Sequence, residues 1–320
     1  MTLTAPPPPN PWAVPPPPPV APRIPSPPPP PPPSRTGIGR PDLASVYGTA
    51  LCILAAMLFG LLMDIGPIGD LLHARDRETG YKELRLELAK GTVPVGQTDS
   101  NGALLTLGQP VALLTIPELG LREVVREGTT SGVLESGPGH LRNSPMPGQA
   151  GTAVLMGRQA GFGGPFAHIR QLQPSETFTV VTGQGTQTFR VLDVRRAGDP
   201  LPPPPASGAG RLELVTGVGN AFMPTGTLLV DADLTSTVRP APGRPLGDTV
   251  NPAEAAMGTD PSAWVPLVLW GEALLLASVL LTLSRVRWGR WQTWIVGIPV
   301  LLALGLTVCD QVVRLLPNLI

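Results

Sequence analysis

Chemistry in a protein needs a nucleophile, a proton carrier or a fixed charge, and this 320-residue chain offers few of them. Its two thiols, Cys52 and Cys309, both lie in strongly apolar stretches, where a thiol behaves as a small buried hydrophobe. The three histidines, His73, His140 and His168, have no thiol near them in sequence, so neither a metal site nor a cofactor is expected. His140 closes the turn SGPGH (136–140), where its expected work is to bond the local backbone and hold a loop. His168 follows Phe166 in an expected short helix and reads as a surface or satisfied histidine. Thr216 and the serines carry hydroxyls, but a hydroxyl attacks near neutral pH only beside a base. Arg158 is the more informative charge. Its planar fork suits a carboxylate or carbonyl, with a salt bridge inside the domain as the alternative.

The elements that would position these residues are short and β-branched. VALLTI (111–116), REVV (122–125), TAVLMG (152–157), TFTVVT (177–182), TQTFRVLDV (186–194), RLELVT (211–216) and TLLVDAD (227–233) are bounded by Gly or Pro and predict strands. TFTVVT and TQTFRVLDV are joined through Gly183, Gln184 and Gly185, a connection that closes a hairpin. Strand spacing predicts a barrel or sandwich. Residues 71–90, with paired charges around Leu84, Leu86 and Leu88, predict a connecting helix.

The ends are of another kind. Runs such as Pro6–Pro9, Pro15–Pro19 and Pro27–Pro33 make residues 1–42 a solvated polyproline tail, with binding to a proline-reading groove as the alternative. Residues 43–63 are uncharged and long enough to cross a bilayer. Arg23, Arg35 and Arg40 before them put the N-terminus in the cytoplasm. Two more apolar spans, 264–284 and 292–316, flank a short loop (285–291) carrying Arg285, Arg287 and Arg290, which belongs on the cytoplasmic side. Trp264, Trp288, Trp291 and Trp294 sit at interfacial positions, and Glu272 is a costly acid within a span. The expected organisation is therefore tail (1–42), span (43–63), connecting helix and linker (64–109), β-domain (110–234), tether (235–263), and two spans around the arginine loop. Zero formal net charge and no basic block exclude a nucleic-acid partner.

Five local patterns in order resemble the sortases, the cell-envelope cysteine transpeptidases of Gram-positive bacteria, particularly their actinobacterial forms. They are IPELGL (116–121), SGPGH (136–140), PGQAGTAVLMG (147–157), GGPFAHIRQLQPSETFTV (163–180) and LELVTG (212–217). The resemblance implies an all-β, eight-stranded barrel on the outer face of the membrane beside three transmembrane helices. In active members a cysteine attacks the carbonyl of a sorting signal such as LPxTG, a histidine moves protons and an arginine steadies the oxyanion.

Carried onto this chain, those three positions hold Arg158, Gly217 and Thr227, so the resemblance implies a catalytic set in which none of the three is present. An arginine stays protonated and glycine has no nucleophile. No cysteine lies between 53 and 308, and no arginine between 212 and 238. The reading is a multi-pass, plasma-membrane pseudoenzyme whose groove, with Arg158, Thr216, Gly217, Thr227 and His140 as candidate residues, binds a sorting-signal-like peptide or surface protein. The proline-stiffened loop LPPPPASGAG (201–210) is expected to border that groove. The alternatives are a transpeptidase or hydrolase with a non-cysteine nucleophile, and a structural membrane component.

Overall fold

In the computed structural model the described residues are 57–247, 249, 251–288 and 290–320, with Trp12, Leu51 and Ala55; the side chains of 282–291, 293 and 294 are not described. The proline-rich tail apart from Trp12, most of span 43–63, Cys52 and Gly289 of the expected arginine loop fall outside what is described, as do the side chains of Arg285, Arg287, Arg290, Trp288, Trp291 and Trp294.

Eight strands close a barrel in the order β1-β2-β3-β4-β7-β8-β6-β5. They are β1 (Pro110–Ile116), β2 (Leu121–Glu127), β3 (Gly139–His140), β4 (Gly151–Met156), β5 (Thr177–Thr182), β6 (Gly185–Arg196), β7 (Gly210–Asn220) and β8 (Met223–Leu234). Each of the seven expected segments forms a strand. The eighth, β3, is two residues long and lies in the SGPGH turn, too short for any alternation to announce it.

Alternation explains why the sheet closes around one core. Along β5 the inward residues Phe178, Val180 and Thr182 are buried while Thr177, Thr179 and Val181 are more exposed. Phe178 faces Phe189 across the β5–β6 register, their rings stacked at 5.7 Å. Val111, Leu114, Leu155, Leu212, Leu214 and Val230 complete the interior. The β5–β6 loop is shorter than expected: Thr182 already pairs with Gly185, leaving Gly183 and Gln184 at the tip. Gly185 takes φ +103°, which a side chain would resist.

Helix α1 (Gly69–Lys90) continues from an apolar helical segment through an irregular turn, Asp64–Ile68, that contains Pro67. It lies along the barrel, with Leu84 buried against Val93, Leu113 and Val124. His73 reaches Glu123 at 3.3 Å, and Arg126 donates to the Asp76 carbonyl. A four-residue turn of helix, α2 (Ser131–Leu134), follows β2. Beyond the barrel, α3 (Trp264–Trp288) and α4 (Arg290–Arg314) pack against each other. Among the described residues, three helices are long and apolar enough to cross a membrane: Met57–Lys90, Pro261–Leu281 and Ile295–Arg314. Glu272 is exposed on α3.

The stretch expected to be a tether does more than connect. Between β8 and α3, Glu254 and Ala263 are buried, and the Arg239 amide donates to the Gly148 carbonyl. The Asp260 amide donates to the Arg314 carbonyl at the end of α4. The start of α3 and the end of α4 therefore meet beside the barrel.

Candidate functional site

Strands β4 and β7 run parallel, from Gly151 opposite Gly210 to Met156 opposite Val215. One residue further, the Thr216 hydroxyl donates to the Gly157 carbonyl at 2.9 Å. The same register then sets Arg158 level with Gly217, and Gly217 faces Thr227 on β8. Three of the five candidate residues thus lie on adjacent strands at one rim, and Thr216 fastens two of those strands. Gly157 is required there because a Cβ would stand 2.6 Å from the Phe166 ring.

Arg158 is fully buried, and its guanidinium is held by groups from distant parts of the chain. Nη2 donates to the Ser131 carbonyl at 3.0 Å and to the Ser131 hydroxyl at 2.8 Å. Nη1 donates to the main-chain oxygen of Ile320 at 2.9 Å. The charge also lies 4.9 Å from the centre of the Phe162 ring. Glu135 approaches Nη2 only to 3.8 Å. Burial pushes Glu135 up to about 7, against the pull of Arg158, so near neutral pH it offers only partial countercharge. Burial also lowers Arg158, to about 10, with Glu135 opposing. The guanidinium still keeps its proton at neutral pH, so it can bind and orient but cannot accept a proton.

Opposite it, the rim is filled by residues from the far end of the sequence. After α4 the chain turns, and Pro317–Ile320 run across the edge between β4 and β7. The Gln159 amide donates to the Leu319 carbonyl at 3.1 Å. The Asn318 amide donates to the Gly258 carbonyl at 2.9 Å, and its side chain to the Ala253 and Ala255 carbonyls, both at 2.8 Å. Leu319 is fully buried among Leu134, Met156 and Val215. That burial is worth about 1.5–3 kcal/mol.

Gly217 is where this segment fits most closely. A Cβ on Gly217 would stand 3.1 Å from the Leu319 carbonyl and 3.1 Å from Gln159 Oε1. Both are tighter than an ordinary van der Waals contact. Replacing a side chain by hydrogen at this position both removes any nucleophile and makes the room in which the Leu319 carbonyl sits.

His140 belongs to a different cluster. Its Nδ1 is 3.0 Å from Glu127 Oε2, and its Nε2 is 3.0 Å from the Pro145 carbonyl and 3.1 Å from the Ser144 hydroxyl. Serine, histidine and carboxylate in line are the parts of a hydrolytic triad. The bonds argue against that work. Ser144 spends its proton on the Leu141 carbonyl at 2.8 Å and accepts the Val154 amide at 3.1 Å. The Pro145 carbonyl accepts only if Nε2 carries hydrogen, which leaves no lone pair to take a proton from Ser144. Burial lowers His140, but the Glu127 carboxylate, the Pro145 carbonyl and Glu254 together outweigh it and the net shift is upward. His140 is thus a closed structural knot that holds its loop. His168 is exposed, 3.3 Å from Gln171.

The proline loop lies elsewhere than expected. It leaves β6 near Thr227, where the Ala197 amide donates to the Thr227 carbonyl, but by Pro203 it has reached Arg211, which donates to the Pro203 carbonyl at 2.7 Å. Strands β6 and β7 are parallel to each other, both pairing antiparallel with β8, so their connection must travel the length of the barrel. Its prolines border the Gly210 end of β7, roughly 23 Å of strand from Gly217. The residues that sequence reading missed are Ser131, Gln159 and 317–320. Only Gln159, adjacent to Arg158, carried a positional hint.

A family model described as Sortase domain matches residues 114–216. Among solved structures, the chain is similar to a sortase transpeptidase from Clostridium perfringens, with 18% identity over 51% of this chain and 99% of that one, TM-score 0.41. It is similar also to sortase E from Streptomyces avermitilis, with 28% identity over 41% of this chain and 91% of that one, TM-score 0.36. A third is Clostridium perfringens sortase C with the C-terminal cell wall sorting motif, with 17% identity over 51% and 89%, TM-score 0.38. No curated protein matches the chain.

Proposed function

We propose that this chain, which carries a sortase-family domain, is a membrane-anchored protein whose cleft holds an extended peptide segment without cutting it. One observation carries the reading: Pro317–Ile320 lie across the rim at Gly217, with the Leu319 carbonyl where a nucleophilic side chain would have to stand. The three positions that would supply attack, proton transfer and oxyanion support hold Gly217, Arg158 and Thr227. Arg158 and the Gln159 amide supply what remains useful for binding, donors aimed at main-chain oxygens.

Charge and geometry both support a barrel outside the membrane. Arginines precede the first span and occupy the loop between the last two. The start of α3 and the end of α4 meet at the barrel, as two spans joined by a cytoplasmic loop would require. The exposed apolar side chains along α3, such as Leu275, Leu276 and Leu280, suit lipid contact.

The test is to incubate the full chain in lipid nanodiscs with a library of sorting-signal peptides and an amine acceptor, then read bound and free peptide by mass spectrometry. Peptide recovered bound and at its original mass is the expected result. Cleaved or transferred peptide that disappears on changing Thr216 or His140 would overturn it in favour of a non-cysteine enzyme. Absence of binding at any concentration would favour a structural role for the domain.

A further inference from the structure

We propose that residues 317–320 are a displaceable plug, and that the ligand they keep out is an extended peptide carrying two consecutive apolar side chains, read chiefly through its main chain. This deepens the peptide-holding reading and rests on it.

The contacts divide into two sets. Those made by the cleft are indifferent to side-chain identity: Arg158 Nη1 and the Gln159 amide each donate to a main-chain oxygen, of Ile320 and of Leu319. The selective part is an apolar socket of Leu134, Met156 and Val215 that takes one leucine-sized side chain. The next residue, Ile320, is also buried. Any extended segment with two apolar residues at that spacing presents the same features to the cleft. By contrast, Asn318 holds the segment to the stretch before α3 through three hydrogen bonds, none of them to the barrel strands. The cleft recognises a general peptide feature, while a separate clamp retains this particular one.

The fit of the plug is also incomplete. With the segment in place, Arg158 Nε, Gln159 Oε1, Glu135 Oε1 and Asn318 Oδ1 are buried without a hydrogen-bond partner. A buried polar atom without a partner costs about 1–3 kcal/mol. Arg158 is fully buried, and the Glu135 carboxyl beside it lies beyond hydrogen-bond reach at 3.8 Å. A ligand bringing a further acceptor to Arg158 and a donor to Gln159 Oε1 would satisfy atoms that the plug leaves bare. Displacement is then an exchange of one carbonyl-presenting segment for a better one, in a cleft already shaped for it. Apparent affinity for such a ligand is lowered by the fraction of time the plug is seated.

The experiment uses the full chain in lipid nanodiscs and a fluorescent peptide with the sequence of residues 314–320. A variant lacking residues 317–320 is expected to bind the peptide at least about tenfold more tightly than the wild type, corresponding to a cleft free about one-tenth of the time in the intact chain. Arg158→Met in the truncated chain is expected to abolish that gain. Should truncation unfold the domain, as read by circular dichroism, Asn318→Ala replaces it and is expected to tighten binding about threefold through a looser clamp. Equal affinity in wild type and folded variant would overturn the plug and leave the peptide-holding reading standing. Absence of binding in every folded variant would overturn both.

Discussion

Two buried basic side chains flank strand β4 and are satisfied in opposite ways. His140, paired with Leu155 across the β3–β4 register, finds its partners in Glu127, Ser144 and Pro145, and both its ring nitrogens are engaged. Arg158, just past the end of β4, depends on Ser131 and on Ile320, 162 positions away, and keeps one nitrogen without a partner. The difference separates a scaffold from a site. A polar group closed by its own loop specifies local structure, whereas one completed by a remote segment depends on that segment being there.

Removing His140 should have the largest effect. His140→Ala leaves Glu127 buried with only Arg142 at 4.0 Å, and is expected to cost about 3–5 kcal/mol in chemical denaturation. It should leave the docking of 317–320 unchanged in whatever fraction stays folded. Arg158→Met is expected to cost less, about 2 kcal/mol, because Glu135 can take up a proton when its cation is gone. Its distinctive mark is release of residues 317–320, read as new sensitivity to limited proteolysis within that segment. Equal release in both variants would dissolve the contrast between scaffold and site.

A pH slope sharpens the same comparison. Glu135 titrates near 7 in the fold against about 4.5 when unfolded, so the native state holds a proton that the unfolded chain releases. Its contribution is present below 4.5 and lost as pH rises toward 7, at no more than ~1.4 kcal/mol per pH unit. Burial is the main cause; Asp310 and Asp64 add to it, while Arg158 and Arg314 oppose it. His140, raised above 6.5, loses its contribution only at higher pH, so a window of pH 4.5–6.5 leaves it out, while Glu213 and Glu254, also raised by burial, add to the slope in the same direction. Glu135→Gln should make the wild-type slope there shallower, leaving the part due to Glu213 and Glu254, and an unchanged slope would refute the assignment. Smallest is Gly217→Ala, expected to cost about 1 kcal/mol as the new methyl presses on the Leu319 carbonyl and Gln159. A fully neutral substitution in thermal unfolding would mean that the segment does not sit there.

Much of the barrel was legible because its strands alternate and its turns carry Gly or Pro. TFTVVT and TQTFRVLDV announce a hairpin by composition alone, whereas Gly139–His140 joins the sheet through neighbours at Arg126 and Leu155. The positions of Arg158 and Gly217 could be read from local patterns, since each follows a short apolar, β-branched run, TAVLMG and RLELVT. What they touch could not. LPNLI (316–320) ends an apolar stretch and looks like the frayed end of a helix, and nothing in its residue types reports Gly258 or Gln159 as partners. Loop 201–210 misled for a related reason: adjacency in sequence to β7 says which strand it enters, but not from which end.

The most direct measurement is hydrogen exchange by mass spectrometry on the full chain and on Arg158→Met, both in nanodiscs, following peptides that contain the Gln159 and Asn318 amides. Both amides are bonded in the seated segment, so they are expected to be protected in the wild type and to exchange rapidly in the variant, while β5 and β6 stay unchanged. Rapid exchange of both amides in the wild type would contradict an occupied cleft.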